Sequence, residues 1–177
     1  MKKRIVTKKG DVFCINISNQ YKYYFQYVAD DASQLNSSVI RVFKKKYPID
    51  CSLNIDDIVR GEVFFYAHTI LRIGILANLW EKIGIHLDLG DTENIMFKIF
   101  ADSWYIWKIG CSHIKMDKLT TNQENYSSGE VFSPNTLIKR IKQISGDGSL
   151  ISKIKPRECP LIKFKGYSFF FFIDKIH

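Results

Sequence analysis

Cysteine is scarce in this 177-residue chain: Cys14, Cys51, Cys111 and Cys159 are scattered, and no two of them stand in Cys-x-x-Cys spacing. That spacing argues against a zinc ribbon or a dithiol redox motif and leaves reduced thiols that serve as small hydrophobes. No run of about 18 apolar residues occurs, so no membrane-spanning helix is expected. The basic start, MKKRIVTKKGDVF, leads into no apolar secretory core, which points to a cytoplasmic protein with no membrane partner. A P-loop, a His-Glu-x-x-His pair, a paired-glycine dinucleotide fingerprint and a Gly-x-Ser-x-Gly elbow are all missing. No internal repeat is evident either. The chain therefore offers no catalytic residue, metal site or cofactor site of useful specificity.

What is present is enough for a core, since 46% of the residues are hydrophobic, and one domain spanning 1–177 is expected. Lys and Arg outnumber Asp and Glu by 11 to 6 over residues 1–60 and by 9 to 5 over 121–177, whereas residues 61–120 hold 6 against 7. The ends are basic and the middle is nearly neutral. A net charge of +8 favours an anionic partner, either nucleic acid or an acidic protein surface, by an attraction that salt would screen.

Alternation dominates the pattern. Gly10-Asp11 signals a turn, and VFCINI then places Phe13, Ile15 and Ile17 on one side of a strand. The polar Ser18-Asn19-Gln20 leads to a second strand in which Tyr23, Phe25 and Tyr27 alternate with Tyr24, Gln26 and Val28, a hairpin with aromatic cross-strand pairs. SSVIRVFKKKY reads as a third strand ending at a lysine run and Pro48. EVFFYAHTILRIGIL reads as one long strand, bent or split near Gly74, and WEKIGIHLDLGD as another with one wet face. NIMFKIF and SWYIWKIG add two more. Polar residues 117–129 predict a surface loop. Residues 133–145 predict a helix: Ser133 caps it, Pro134 occupies its first position, Leu137, Ile138, Ile141 and Ile144 have helical spacing, and Gly146 follows. Residues 160–175 close the chain as strand, and their phenylalanines should be buried against the sheet and that helix. The fold class expected is mainly β, an antiparallel sheet or small barrel-like meander with one C-terminal amphipathic helix.

Few residues hint at chemistry. Unbroken alternation would set Glu62, Tyr66, His68 and Arg72 on one surface, but Glu62 and Arg72 would lie about 33 Å apart on a straight strand. His86 and Asp88 are two apart on a polar strand face, too few ligands for a metal. SGDGS at 145–149 follows a helix instead of opening one, so it lacks the geometry of a phosphate loop. Two cationic groups remain as candidate partner-binding residues: Lys44, Lys45 and Lys46 at a strand end, and Lys139, Arg140 and Lys142 on the helix. Such cations position a nucleic acid without reading it, and the aromatics of QYKYYFQY could stack bases if exposed. As core packing they need no such role.

The ordered set KKGDVFCINISNQYKYYFQYV, VIRVFKK, EVFFYAHTILRIGIL and LWEKIG, within residues 8–110, resembles the immunity protein 26 family of bacterial polymorphic toxin systems. The resemblance implies an all-β protein that binds and neutralises one cognate toxin, without catalysis and without a cofactor, and it brings no site residues with it. The basic ends would then seek an acidic toxin surface. A small β-barrel nucleic-acid-binding protein is the alternative. A barrel endoribonuclease, which also begins with a basic-Gly-Asp strand, would need a second basic strand motif and a placed Ser or Thr that this chain lacks.

Overall fold

The structure, a computed structural model, describes residues 5–146. Two sheets carry the fold. The larger is built from β1 (Asp11–Asn16), β2 (Tyr21–Asp31), β3 (Ser37–Phe43), β4 (Tyr47–Pro48), β5 (Val63–Thr69), β6 (Trp80–Ile85) and β11 (Val131–Phe132). Its order is β11-β5-β3-β2-β1-β6, with β4 also paired to β2, and it does not close into a barrel. The smaller sheet runs β10-β7-β8-β9, from β7 (Met96–Phe100), β8 (Trp104–Lys108), β9 (Ile114–Met116) and β10 (Ser127–Ser128). Pairing is antiparallel throughout except for two short parallel contacts, β11 on β5 and β10 on β7.

The period of two sorts the large sheet into two faces. Phe13, Ile15, Tyr23, Phe25, Ile40, Val42 and Ala67 point to the front, where Leu137 and Ile141 of helix α3 (Pro134–Ser145) pack on them. Phe13 and Phe25 stack at 5.1 Å and are wholly buried, each contributing roughly 1.5–3 kcal/mol by transfer alone. On the back, Val12, Cys14, Tyr24, Phe43 and Tyr47 form a second core with helix α1 (Ile55–Val59). Further along the back, Val28 and Val39 meet Ile95, Phe97 and Trp107 of the small sheet. The meander, the paired aromatics and the capped helix thus appear where alternation and capping place them. Ser133 Oγ accepts from the Thr136 amide at 3.2 Å. Ser133→Ala is expected to lower the unfolding free energy by about 1 kcal/mol in urea titration, with the fold intact.

Three expectations are corrected. The run 62–76 is not one strand: β5 ends at Thr69 and Leu71–Leu76 form helix α2. Leu71, Gly74 and Ile75 have helical spacing, and the pairing of β5 with β3 stops at Ser38–Thr69, so the backbone beyond has no ladder to join. Gly74 lets the Trp80 ring come so close that an added Cβ would lie 2.1 Å from it, and Trp80 Nε1 donates to the Leu71 carbonyl at 3.0 Å. A bulky residue at 74 has no room. Secondly, the strand from Trp80 stops at Ile85, and residues 86–91 turn across the back face. Thirdly, α3 is not the sole helix, because α1 forms behind an Asn54 cap that accepts from the Asp56 amide. The polar 117–129 segment holds a 3-10 turn at Gln123–Asn125 and the short β10. The expected strand at 160–175, Cys159 and most of SGDGS lie outside the described residues.

Candidate partner-binding surface

The acid-base constellation does not assemble. Glu62 pairs with Lys44 at 2.8 Å on the surface, Arg72 is exposed on α2, and only Tyr66 and His68 share the back face of β5. His68 instead belongs to a network that alternation could not reveal. Its Nε2 lies 3.0 Å from Asp31 Oδ2, which also accepts from Trp107 Nε1 at 2.8 Å, while Ser33 Oγ donates to Asp31 Oδ1 at 3.0 Å. Asp31 and His68 are completely buried. A bulge makes this possible: Tyr27 pairs with Ile40 and Ala29 with Val39, so Val28 is an extra residue that moves Asp31 to the face of His68.

This cluster ties the large sheet to the small one through Trp107 of β8. Burial alone would raise the Asp31 pKa, but the hydrogen bonds from His68 and Trp107, with the His68 charge interaction and Ser33, outweigh it and hold the carboxyl below its usual range. His68 Nδ1 is buried without a partner. An Nε2–H is what the Asp31 carboxylate accepts. With Asp31, His68 and Trp107 buried and only Ser33 at the surface, the cluster serves to join sheets.

A second buried network anchors residues 86–91. Arg41 donates from Nε to Gln26 Oε1 at 2.8 Å and from Nη2 to the Asp88 carbonyl at 2.7 Å, and Gln26 Nε2 donates to the His86 carbonyl at 2.8 Å. Burial lowers the Arg41 pKa, opposed by Asp88. Gly90, at φ +70°, passes so close that an added Cβ would stand 2.4 Å from Nη1. Asp11, also buried, has one oxygen 2.6 Å from Lys82 Nζ; the angle is poor for a hydrogen bond, and the ion pair meets the charge.

His86 and Asp88 make contacts within the chain. His86 Nδ1 accepts from the Asp88 amide and its Nε2 faces Asp56 Oδ1 at 3.2 Å. Among the described residues no three His, Cys, Asp or Glu side chains gather as metal ligands. Cys14, Cys51 and Cys111 are free thiols, and no helix among those residues is long and apolar enough to cross a membrane. Of the aromatics in QYKYYFQY, Tyr23, Tyr24, Phe25 and Tyr27 are buried and not available for stacking, and Tyr21 is half-buried beneath Lys46.

The two candidate cationic groups sit on different elements, the link from β3 to β4 and helix α3. Lys44, Lys45 and Lys46 occupy the link from β3 to β4, with Lys45 Nζ over the Tyr47 ring at 5.0 Å and Lys46 Nζ over Tyr21 at 4.2 Å. Tyr47 belongs to the back core. Lys139 and Arg140 are exposed on α3 and Lys142 is half-buried, all on the helix that covers the front.

Comparison with known proteins gives one finding. The family model described as Immunity protein 26 matches residues 8–105, which cover β1 through the first residues of β8 and more than half of the chain. No curated protein and no solved structure matches. The span includes the bulged β2, Asp31, His68, Arg41 and Gln26, so the two buried networks, apart from Trp107, fall within it. With its sheet-rich architecture and this match, the chain belongs to the immunity protein 26 family.

Proposed function

We propose that the protein protects its own cell by binding a cognate toxin domain directly, without catalysis. Membership of an immunity protein family is the observation that carries this reading. The physical character of the chain supports it: the buried ionisable groups Asp31, Arg41 and His68 are spent on holding sheets and loops together, leaving a rigid scaffold. Binding needs no reacting group, only shape, a few anchors and complementary charge.

Lys44, Lys45, Lys46, Lys139, Arg140 and Lys142 supply the long-range attraction in this reading, and the toxin presents an acidic surface. Co-expression with the toxic domain encoded beside this chain's gene is expected to restore growth, and the two proteins to co-purify. Failure of both sinks the proposal. Reversing three charges, as Lys45→Glu, Lys139→Glu and Arg140→Glu together, is expected to slow association about tenfold at low salt while leaving dissociation nearly unchanged. Stopped-flow mixing at two ionic strengths reads the effect, and an association rate indifferent to both salt and charge reversal removes these cations from the account.

A further inference from the structure

The small sheet has one face against the large sheet and one turned outward. Phe97 and Trp107 lie on the covered side, so the registers Lys98–Ile106, Phe100–Trp104, Trp104–Met116 and Ile106–Ile114 define the outer side. That outer side is apolar to a degree unusual for a solvated sheet face. Phe100 is 54% and Ile114 59% exposed, Trp104 and Met116 are half-buried, and Ile106 is buried among them. Phe100 meets Trp104 edge to face at 5.2 Å, which holds both rings in place.

Its charges are of one sign. Lys98 and Lys108 stand in the outward rows, and no outward position of β7, β8 or β9 carries a carboxylate. Lys98 Nζ lies 6.0 Å from the Trp104 ring. Lys98 Nζ donates to the Glu124 carbonyl, so this cation is engaged within the chain, and burial lowers its pKa against the pull of the Glu124 charge. The nearest strand carboxylate, Asp102 in the β7–β8 turn, is taken up by the Tyr105 hydroxyl at 2.8 Å and Lys115 at 3.0 Å. Among the described residues no strand pairs with the far side of β9.

Exposed aromatic and aliphatic anchors beside a cation, Lys108, in strand rows that carry no carboxylate are what a protein interface uses, with Trp among the residues that carry most of the binding energy. Nucleic acid would use the rings for stacking, but Phe100 and Trp104 are packed edge to face on each other, and Ile114 and Met116 offer a base or phosphate nothing. We infer that the outward face of the small sheet is the docking surface for an acidic protein segment of the toxin domain, with Phe100, Trp104 and Ile114 filling apolar contacts and the exposed Lys108 meeting a carboxylate. The inference rests on the neutralisation reading and names its surface.

The test titrates the purified toxic domain encoded beside this chain's gene against the wild-type protein and against Phe100→Ala/Ile114→Ala, at about 0.15 M salt. Both side chains are largely exposed, so the urea midpoint is expected to hold while the dissociation constant rises roughly 100-fold or more. Should the double variant prove unstable, Lys108→Glu serves alone, with slower association expected. Wild-type binding with a variant constant unchanged within about threefold overturns the surface and spares the neutralisation reading. Absence of wild-type binding overturns the neutralisation reading itself. A parallel arm with a single-stranded oligothymidylate separates the other macromolecule: wild-type retention lost in the variant, with toxin affinity unchanged, assigns the face to nucleic acid and overturns the inference.

Discussion

Replacing Asp31 with alanine is expected to lower the unfolding free energy by about 3–5 kcal/mol. The Nε2–H of His68, the Nε1–H of Trp107 and the Ser33 hydroxyl would all lose their acceptor, and the first two are buried where water cannot replace it. Asp31→Asn separates charge from geometry. Both ring donors converge on Oδ2, so an amide oxygen there still accepts from both, and an amide nitrogen can donate to Ser33 Oγ. Its cost is expected near 1 kcal/mol, the weakening of charge-assisted bonds to neutral ones. Urea titration of the three proteins checks the order, and equal losses from alanine and asparagine would show that the acceptor geometry is not what matters.

The same carboxylate sets an acid limit. Its folded pKa is depressed below the unfolded value of about 3.9, so its contribution is complete above that pH and is lost as pH falls through the folded value. Between pH 5 and pH 3, roughly the window around that unfolded value, the wild-type urea midpoint should fall more steeply than that of Asp31→Asn, which has no proton to take up. Parallel curves would contradict the assignment.

Arg41→Ala is expected to cost about 2–4 kcal/mol. It orphans Gln26 Oε1 and the Asp88 carbonyl, removes a cation lying 5.2 Å from the Phe43 ring, and opens space beneath Gly90. Arg41→Met restores much of the volume but neither bond, so it should recover only part of the loss. A local readout separates this from general weakening. The His86 amide, which donates to the Gly10 carbonyl at 2.9 Å, should exchange its hydrogen faster in both variants relative to amides of the β2–β3 ladder. Uniform acceleration across the sheet would mean that residues 86–91 are not held by Arg41.

Residues with a local signature were legible in the sequence. Phe13 and Ile15 against Val12 and Cys14, or Ser133-Pro134 before Leu137 and Ile141, declare strand face and helix start through their immediate neighbours. Features set by partners distant in sequence were not. The Val28 bulge depends on how β2 meets β3, and it alone decides that Asp31 faces His68 and not the front core. Without it, the parity of Asp31 points away from the histidine. Likewise Thr69 and Leu71 continue an alternating pattern, and what ends the strand is the end of β3 alongside it. The outward apolar face of the small sheet was hidden for the same reason. Phe100, Trp104 and Ile114 look like core residues until the covered side is seen to be filled by Phe97 and Trp107. The lysine groups were visible as runs, but the rings that Lys45 and Lys46 cover, Tyr47 and Tyr21, follow from how β4 pairs with β2.

The central claim, that this scaffold acts by contact and not by reaction, is tested most directly by titrating a fixed amount of the active toxic domain with increasing amounts of this protein and reading residual toxin activity over time. The account predicts a linear decline to zero at a fixed molar ratio, unchanged by longer incubation and reversed when the two proteins are separated by denaturation and the toxin is refolded. Progressive inactivation by a small fraction of an equivalent, or full activity at every ratio, would contradict it.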